Sequence, residues 1–179
     1  MSRAAAAASA PSLAESGVGL TNGYIYTTLK KRLKLSSTFK DVYAADTLKI
    51  AKLSEENNFI CVCNLSPSGT AGSHFVCIVG RPSEIVYIDS LALPPDLSPQ
   101  LYNALVSMNR PIKSLIKQRI QSSNSHFCGY FAIYFACLFD KRRFPKISGL
   151  KRFSKTQLSA NDDICVDNLK KIIKMNKMA

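Results

Sequence analysis

The sequence predicts an α+β domain, a central mixed β-sheet packed against a buried helix. Three observations predict it. Short apolar, β-rich runs cluster in the middle of the chain, at residues 58–65, 73–79 and 85–88, each closed by turn residues. A run from Cys128 to Phe139 is apolar on every side, as in a helix enclosed by the core. The chain has 179 residues, 46% hydrophobic and 20% charged, enough for one globular domain that buries its core without staples. These numbers exclude a wholly disordered chain, a coiled coil and a collagen-like fibre. No stretch reaches the roughly 20 apolar residues of a membrane-spanning helix.

The elements follow in order. Residues 1–20 are rich in Ala and Ser, with Arg3 their only basic side chain. Ala is too weakly apolar for a signal-peptide core, so a flexible tail is expected. Residues 24–35 form a mixed segment carrying Lys30, Lys31, Arg32 and Lys34, and residues 42–50 lead through Asp46 and Thr47 to Leu48 and Ile50. Pro67, Gly69 and Gly72 break the first strand. The second turns through Gly80, Arg81 and Pro82 into the third, which ends at Asp89, so these two read as a hairpin. Residues 93–99 hold three prolines and read as a loop. Ser98 is placed to cap a helix reaching Met108, because Leu101, Ala104, Leu105 and Met108 recur at helical spacing. Residues 112–120 read as a further strand and 121–126 as a polar link into the buried helix. A last amphipathic helix is expected over 163–175.

Charge is the unusual feature. Lys and Arg number 24 against 12 Asp and Glu, a net +12. Residues 141–179 hold 11 of these basic residues against 3 Asp, a net +8, with Lys141, Arg142, Arg143, Lys146, Lys151, Arg152 and Lys155 forming a belt. Such a field attracts polyanions, and it equally suits a solvated tail or a nuclear localisation signal. The six cysteines are too sparse for a disulfide scaffold, and two histidines with no CxxC pair make no metal pattern. They read as mostly free thiols in a reducing compartment.

Chemistry enters with the order His74, Asp89, Gln121, Cys128. His74 lies on a strand after a Gly-Ser turn. Asp89 ends the next strand, so hairpin pairing can set it beside His74. Cys128 starts a buried helix behind a polar loop. Thiolates attack and thiols do so poorly, and a helix N-terminus with a neighbouring imidazolium lowers a cysteine pKa from about 8.5 to roughly 3.5–7.5. The histidine must take a proton and later give it to the leaving amine, and a carboxylate behind it sets tautomer and orientation. Gln121 can donate to a developing oxyanion with the Cys128 N–H, each such donor typically being worth about 3–4 kcal/mol. Gly129 admits the close approach of substrate or another backbone.

Each residue alone has an ordinary structural reading: a satisfied strand histidine, a turn aspartate, a core cysteine, a solvated loop amide. Their joint order and contexts argue for the functional one. His126 is the rival histidine, but its side chain would have to fold back over its own loop, so it is expected to shape that loop.

These segments resemble the adenovirus-type cysteine endopeptidases (adenain) and, more widely, the fold they share with SUMO-specific proteases. Gly72-Ser73-His74-Phe75-Val76 resembles the histidine strand. Tyr87-Ile88-Asp89-Ser90-Leu91 resembles the acidic position, with Asp as in the SUMO proteases where adenain has Glu. Gln121 precedes Cys128 by the adenain spacing of seven, and Cys128-Gly129-Tyr130-Phe131 resembles the family's helix start. The segment from Val42 to Leu48 resembles the lead-in of viral and transposon-borne members. The resemblance covers residues 38–140.

It implies an adenain-like cysteine protease domain over 21–179, with Cys128 as nucleophile, His74 as base and acid, Asp89 as its orienter and Gln121 as oxyanion donor. Substrates would be precursor proteins of a virus or virus-like element, cut at small, Gly-containing sites in a narrow groove. The family's Trp after the histidine is Phe75 here, a flat side chain for the groove wall, with Gly129 at the substrate side of the helix. The sequence requires no cofactor. The resemblance implies DNA, for which Arg142, Arg143, Lys151 and Arg152 are the candidate contacts, and an activating peptide. In adenain that peptide is disulfide-linked to a cysteine between acid and Gln; here no cysteine falls between Cys77 and Cys128, so a disulfide at that site is not expected and noncovalent activation stays open. A monomer in the virion or host nucleus, with no membrane partner, completes the expectation. The alternatives are a deconjugating protease for a ubiquitin-like modifier and a non-catalytic basic nucleic-acid-binding protein.

Overall fold

The computed structural model describes residues 19–48, 53–70, 72–141 and 153–177. Most of the expected tail, Ile50, and the belt residues Arg142, Arg143, Lys146, Lys151 and Arg152 lie outside the described residues.

The architecture is the predicted α+β class. Helix α1 (Asn22–Thr27) continues as a π-helical turn (Thr28–Arg32) and is followed by β1 (Phe39–Ala44), β2 (Phe59–Asn64), β3 (Phe75–Gly80) and β4 (Ile85–Ile88). A 3₁₀ turn (Pro95–Leu97), α2 (Pro99–Val106), β5 (Ile112–Ser114), α3 (Cys128–Phe139) and α4 (Leu158–Lys177) complete the chain. The sheet order is β1-β2-β3-β4-β5. β2, β3 and β4 run antiparallel, and the edge strands β1 and β5 pair in parallel with their neighbours.

Alternation along the strands explains the layering. Ile60, Val62, Phe75, Cys77, Val79, Val86 and Ile88 face one way and pack with α1, α3 and α4. Phe59, Cys61, Cys63, Val76, Ile78, Ile85 and Tyr87 face the other way and pack with α2. Strands covered on both faces read as continuous apolar runs rather than as alternation, which is why three of them stood out in the sequence. Each fully buried Ile, Val or Phe contributes about 1.5–3 kcal/mol. Helix α3 is buried from Cys128 to Cys137, and α4 lays Cys165, Leu169 and Ile172 into the same core.

Several boundaries differ from expectation, each for a physical reason. β1, missed in the sequence, is an edge strand whose central residues are only partly buried, so its apolar signal is weak. β5 stops at Ser114 rather than continuing to residue 120, because β4 offers only Ile85–Ile88 to pair with. Ser98 occupies the N-cap position of α2 without a side-chain capping bond. Helix α4 begins at Leu158, after a turn in which Ser154 Oγ accepts the N–H groups of Thr156 and Gln157.

Gly80 is strand rather than turn. It pairs with Phe59 and Ile85, and a Cβ there would fall 2.0 Å from the Phe59 ring. Gly80→Ala is expected to displace that buried ring and cost about 1–3 kcal/mol, measured by denaturant unfolding. Unchanged stability would mean that the ring moves freely.

Candidate active site

The β3–β4 register builds the first half of the site. Cys77 pairs with Ile88, so Asp89 lies one residue beyond that pair and His74 just before β3. His74 Nε2 donates to Asp89 Oδ1 at 2.7 Å, with both side chains buried. The Leu91 N–H donates to the same oxygen at 2.7 Å, holding the carboxylate at the strand end. With Nε2 engaged, Nδ1 is the nitrogen left to face Cys128, which lines the same cleft as the ring.

Helix α3 supplies the second half. Its N-cap residue, Phe127, makes no side-chain capping bond, and the helix N-terminus favours negative charge at Cys128. Burial is the largest single influence on His74 and opposes its charge. The hydrogen bonds and charges of Asp89 and Cys128 together outweigh it and raise the imidazole from 6.5 to about 9. The ring is therefore held as imidazolium at neutral pH, between a carboxylate and a sulfur. By contrast, burial pushes the thiols of Cys61, Cys77, Cys137 and Cys165 well up, and that of Cys63 to about 12. All six cysteines are free, and of them Cys128 alone keeps measurable exposure, at 9%.

Gln121 is brought to the same place. Its side chain is buried yet lines the cleft with His74 and Cys128. Ser90 Oγ donates to its Oε1 at 2.6 Å and its Nε2 donates to the Ser125 carbonyl at 2.9 Å. From the α4 side, buried Asn161 donates to the carbonyls of Ile120 and Ser154, each at 2.7 Å. Asp162 accepts the Ser122 N–H at 3.4 Å. Burial raises the Asp162 pKa, with the Ser125 and Ser122 bonds opposing. The roles of Ser90, Ser125, Asn161 and Asp162 escaped sequence reading because a single polar residue carries no pattern that names its hydrogen-bond partner.

The cleft measures about 800 Å³ and is walled by residues 19–23, the loop around Gly69 and the 121–126 loop. Among its described lining residues there is no Lys, Arg, Asp or Glu, notable in a chain of net +12. Phe75 touches the cleft but is 3% exposed, so it serves the core more than the wall. Gly129 is a correction: it does not line the cleft. A Cβ there would lie 3.0 Å from Leu20 Cβ and 3.2 Å from Ile25 Cδ1, so the close approach at this glycine is that of the N-terminal segment. His126 is exposed on the rim, and it is His74 that holds the carboxylate. No group of metal ligands occurs among the described residues, and none of their helices is long and apolar enough to cross a membrane.

No protein-family model and no curated protein matches the chain. Among solved structures, one of AvrA with IP6 and CoA is similar at 16% identity, covering 88% of this chain and 69% of that one, with a TM-score of 0.46.

Proposed function

We propose that the chain is a cysteine endopeptidase of the adenain type. One observation carries this reading: the His74 ring is bonded to buried Asp89 and lines one cleft with Cys128, the first residue of α3. In the reaction the proton of the Cys128–His74 pair rests on the imidazole as Sγ attacks the scissile carbonyl carbon. The carbonyl oxygen becomes an oxyanion held by the Cys128 N–H and a Gln121 Nε2–H. The C–N bond then breaks, the imidazolium gives its proton to the leaving amine, and a thioester remains. Water, deprotonated by His74, attacks the thioester, releasing the acid and restoring the sulfur beside the protonated ring.

The cleft, without Lys, Arg, Asp or Glu among its described lining residues and with glycines at 19, 23, 69 and 72 on its walls, supports substrates with small, neutral residues at the cut. Precursor proteins of a virus or virus-like element are the substrates the sequence resemblance suggests. The test is labelling of the whole chain with iodoacetamide, followed by mapping of the modified residue. Cys128 is expected to react first, well before the other five, and its labelling to block cleavage of a pool of short neutral peptides. Faster labelling elsewhere, or cleavage that survives labelling, overturns the reading.

DNA binding belongs to the same proposal. Lys30, Lys31, Arg32 and Lys34 are exposed. Asn176 donates to the Arg32 carbonyl at 3.0 Å, which sets the α4 end, with exposed Lys174 and Lys177, beside them. Neutralising Arg142, Arg143, Lys151 and Arg152 together is expected to weaken duplex DNA binding. It should also flatten its log–log salt slope by about 0.9 per lost contact. An unchanged slope moves the contact to the Lys30 cluster.

A further inference from the structure

We infer that Ser90 is a positioning residue that fixes the amide of Gln121, so that the Asp89-Ser90 pair orients both the base and the oxyanion donor. The inference rests on the protease reading. It starts from what each neighbour of the amide can do. The Ser125 carbonyl only accepts, so the group facing it at 2.9 Å is the NH₂ of Gln121. Oε1 then faces Ser90, whose hydroxyl donates to it at 2.6 Å. One Nε2–H is used by Ser125, and the second is left in a side chain that lines the cleft beside Cys128.

The backbone is tied to the same residue. The Ser90 carbonyl accepts the N–H groups of Ile120 at 2.9 Å and Gln121 at 3.1 Å. Ser90 and Gln121 are 2% and 1% exposed, so water does not compete for these bonds. Without the hydroxyl, Oε1 is a buried acceptor lacking a donor. Because the Ser125 carbonyl still requires the NH₂ group, the amide is expected to shift away from the vacated position, carrying its second Nε2–H off the oxyanion.

The experiment compares Ser90→Ala, Gln121→Ala and the double variant in the full chain. The first readout is NMR of the Gln121 side-chain NH₂, which needs no activity. Ser90→Ala is expected to shift both proton resonances and leave the His74 ring signals in place. The second is kinetics on a peptide that the wild type cuts. Ser90→Ala should lower kcat about 10- to 100-fold with KM within about twofold, against roughly 10²–10³ for Gln121→Ala. The double variant should match Gln121→Ala, and the rate of Cys128 alkylation should be unchanged throughout. The inference fails if the Gln121 signals do not move, if the two losses multiply in full, or if alkylation slows with Ser90→Ala. A wild type that cuts no peptide sinks the protease reading instead, while NMR still decides the link between Ser90 and Gln121.

Discussion

Cys128→Ala is expected to abolish peptide cleavage, a fall in kcat of roughly 10⁶-fold, while the protein stays folded. The substitution removes one sulfur at a position that is 9% exposed on the cleft. The expected stability loss is about 1 kcal/mol, which moves the melting temperature about 2–4 °C for a chain of this size. His74 needs a different control. His74→Ala would leave Asp89, 2% exposed, with only the Leu91 N–H on Oδ1 and nothing on Oδ2. Breaking a buried pair in this way costs about 3–5 kcal/mol and confuses inactivity with unfolding. His74→Gln keeps an N–H for Asp89 and is expected to stay folded and be as inactive as Cys128→Ala. Steady-state cleavage with parallel thermal melts tests both, and near-normal turnover by Cys128→Ala ends the assignment.

The second large effect is on stability against pH. The folded protein holds the His74 proton up to about 9, whereas the unfolded chain releases it near 6.5. Between these values the folded state binds more protons, so stability falls as pH rises. The contribution is fully present below pH 6.5 and gone above 9. The rise from 6.5 to about 9 corresponds to roughly 3 kcal/mol at about 1.4 per pH unit. Urea unfolding across this window should show that loss in the wild type and little of it in Asp89→Asn, which removes the strongest of the raising influences. Cys128→Ala should retain part of the slope, because the Asp89 bond remains. A wild-type slope equal to that of Asp89→Asn would mean that the imidazole is not held charged. Asp89→Asn should also lower kcat by about 10⁴-fold, as an imidazole held in the wrong tautomer does.

Much of this was visible in the chain before any fold was seen. The runs that became β2, β3 and β4 announced themselves because they are buried on both faces, and α3 because it is buried all round. Asp89 fell beside His74 as hairpin logic required, since two adjacent antiparallel strands leave little freedom of register. β1 and the α1–π segment were not visible, because partly buried elements carry mixed patterns. Gly129 was assigned to substrate because a glycine marks close approach without saying by what; Leu20 and Ile25 answer that from more than a hundred residues away.

The candidate reacting groups and their order along the chain are local properties, which residue type, spacing and the family resemblance could mark. Which imidazole nitrogen meets the carboxylate, which way the Gln121 amide points, and how α4 props the loop through Asn161 are settled by partners 15, 31 and 41 residues distant. Those bonds form only where packing has excluded water. A hydrogen-bond direction is a property of a pair in space, and no single stretch of chain contains it.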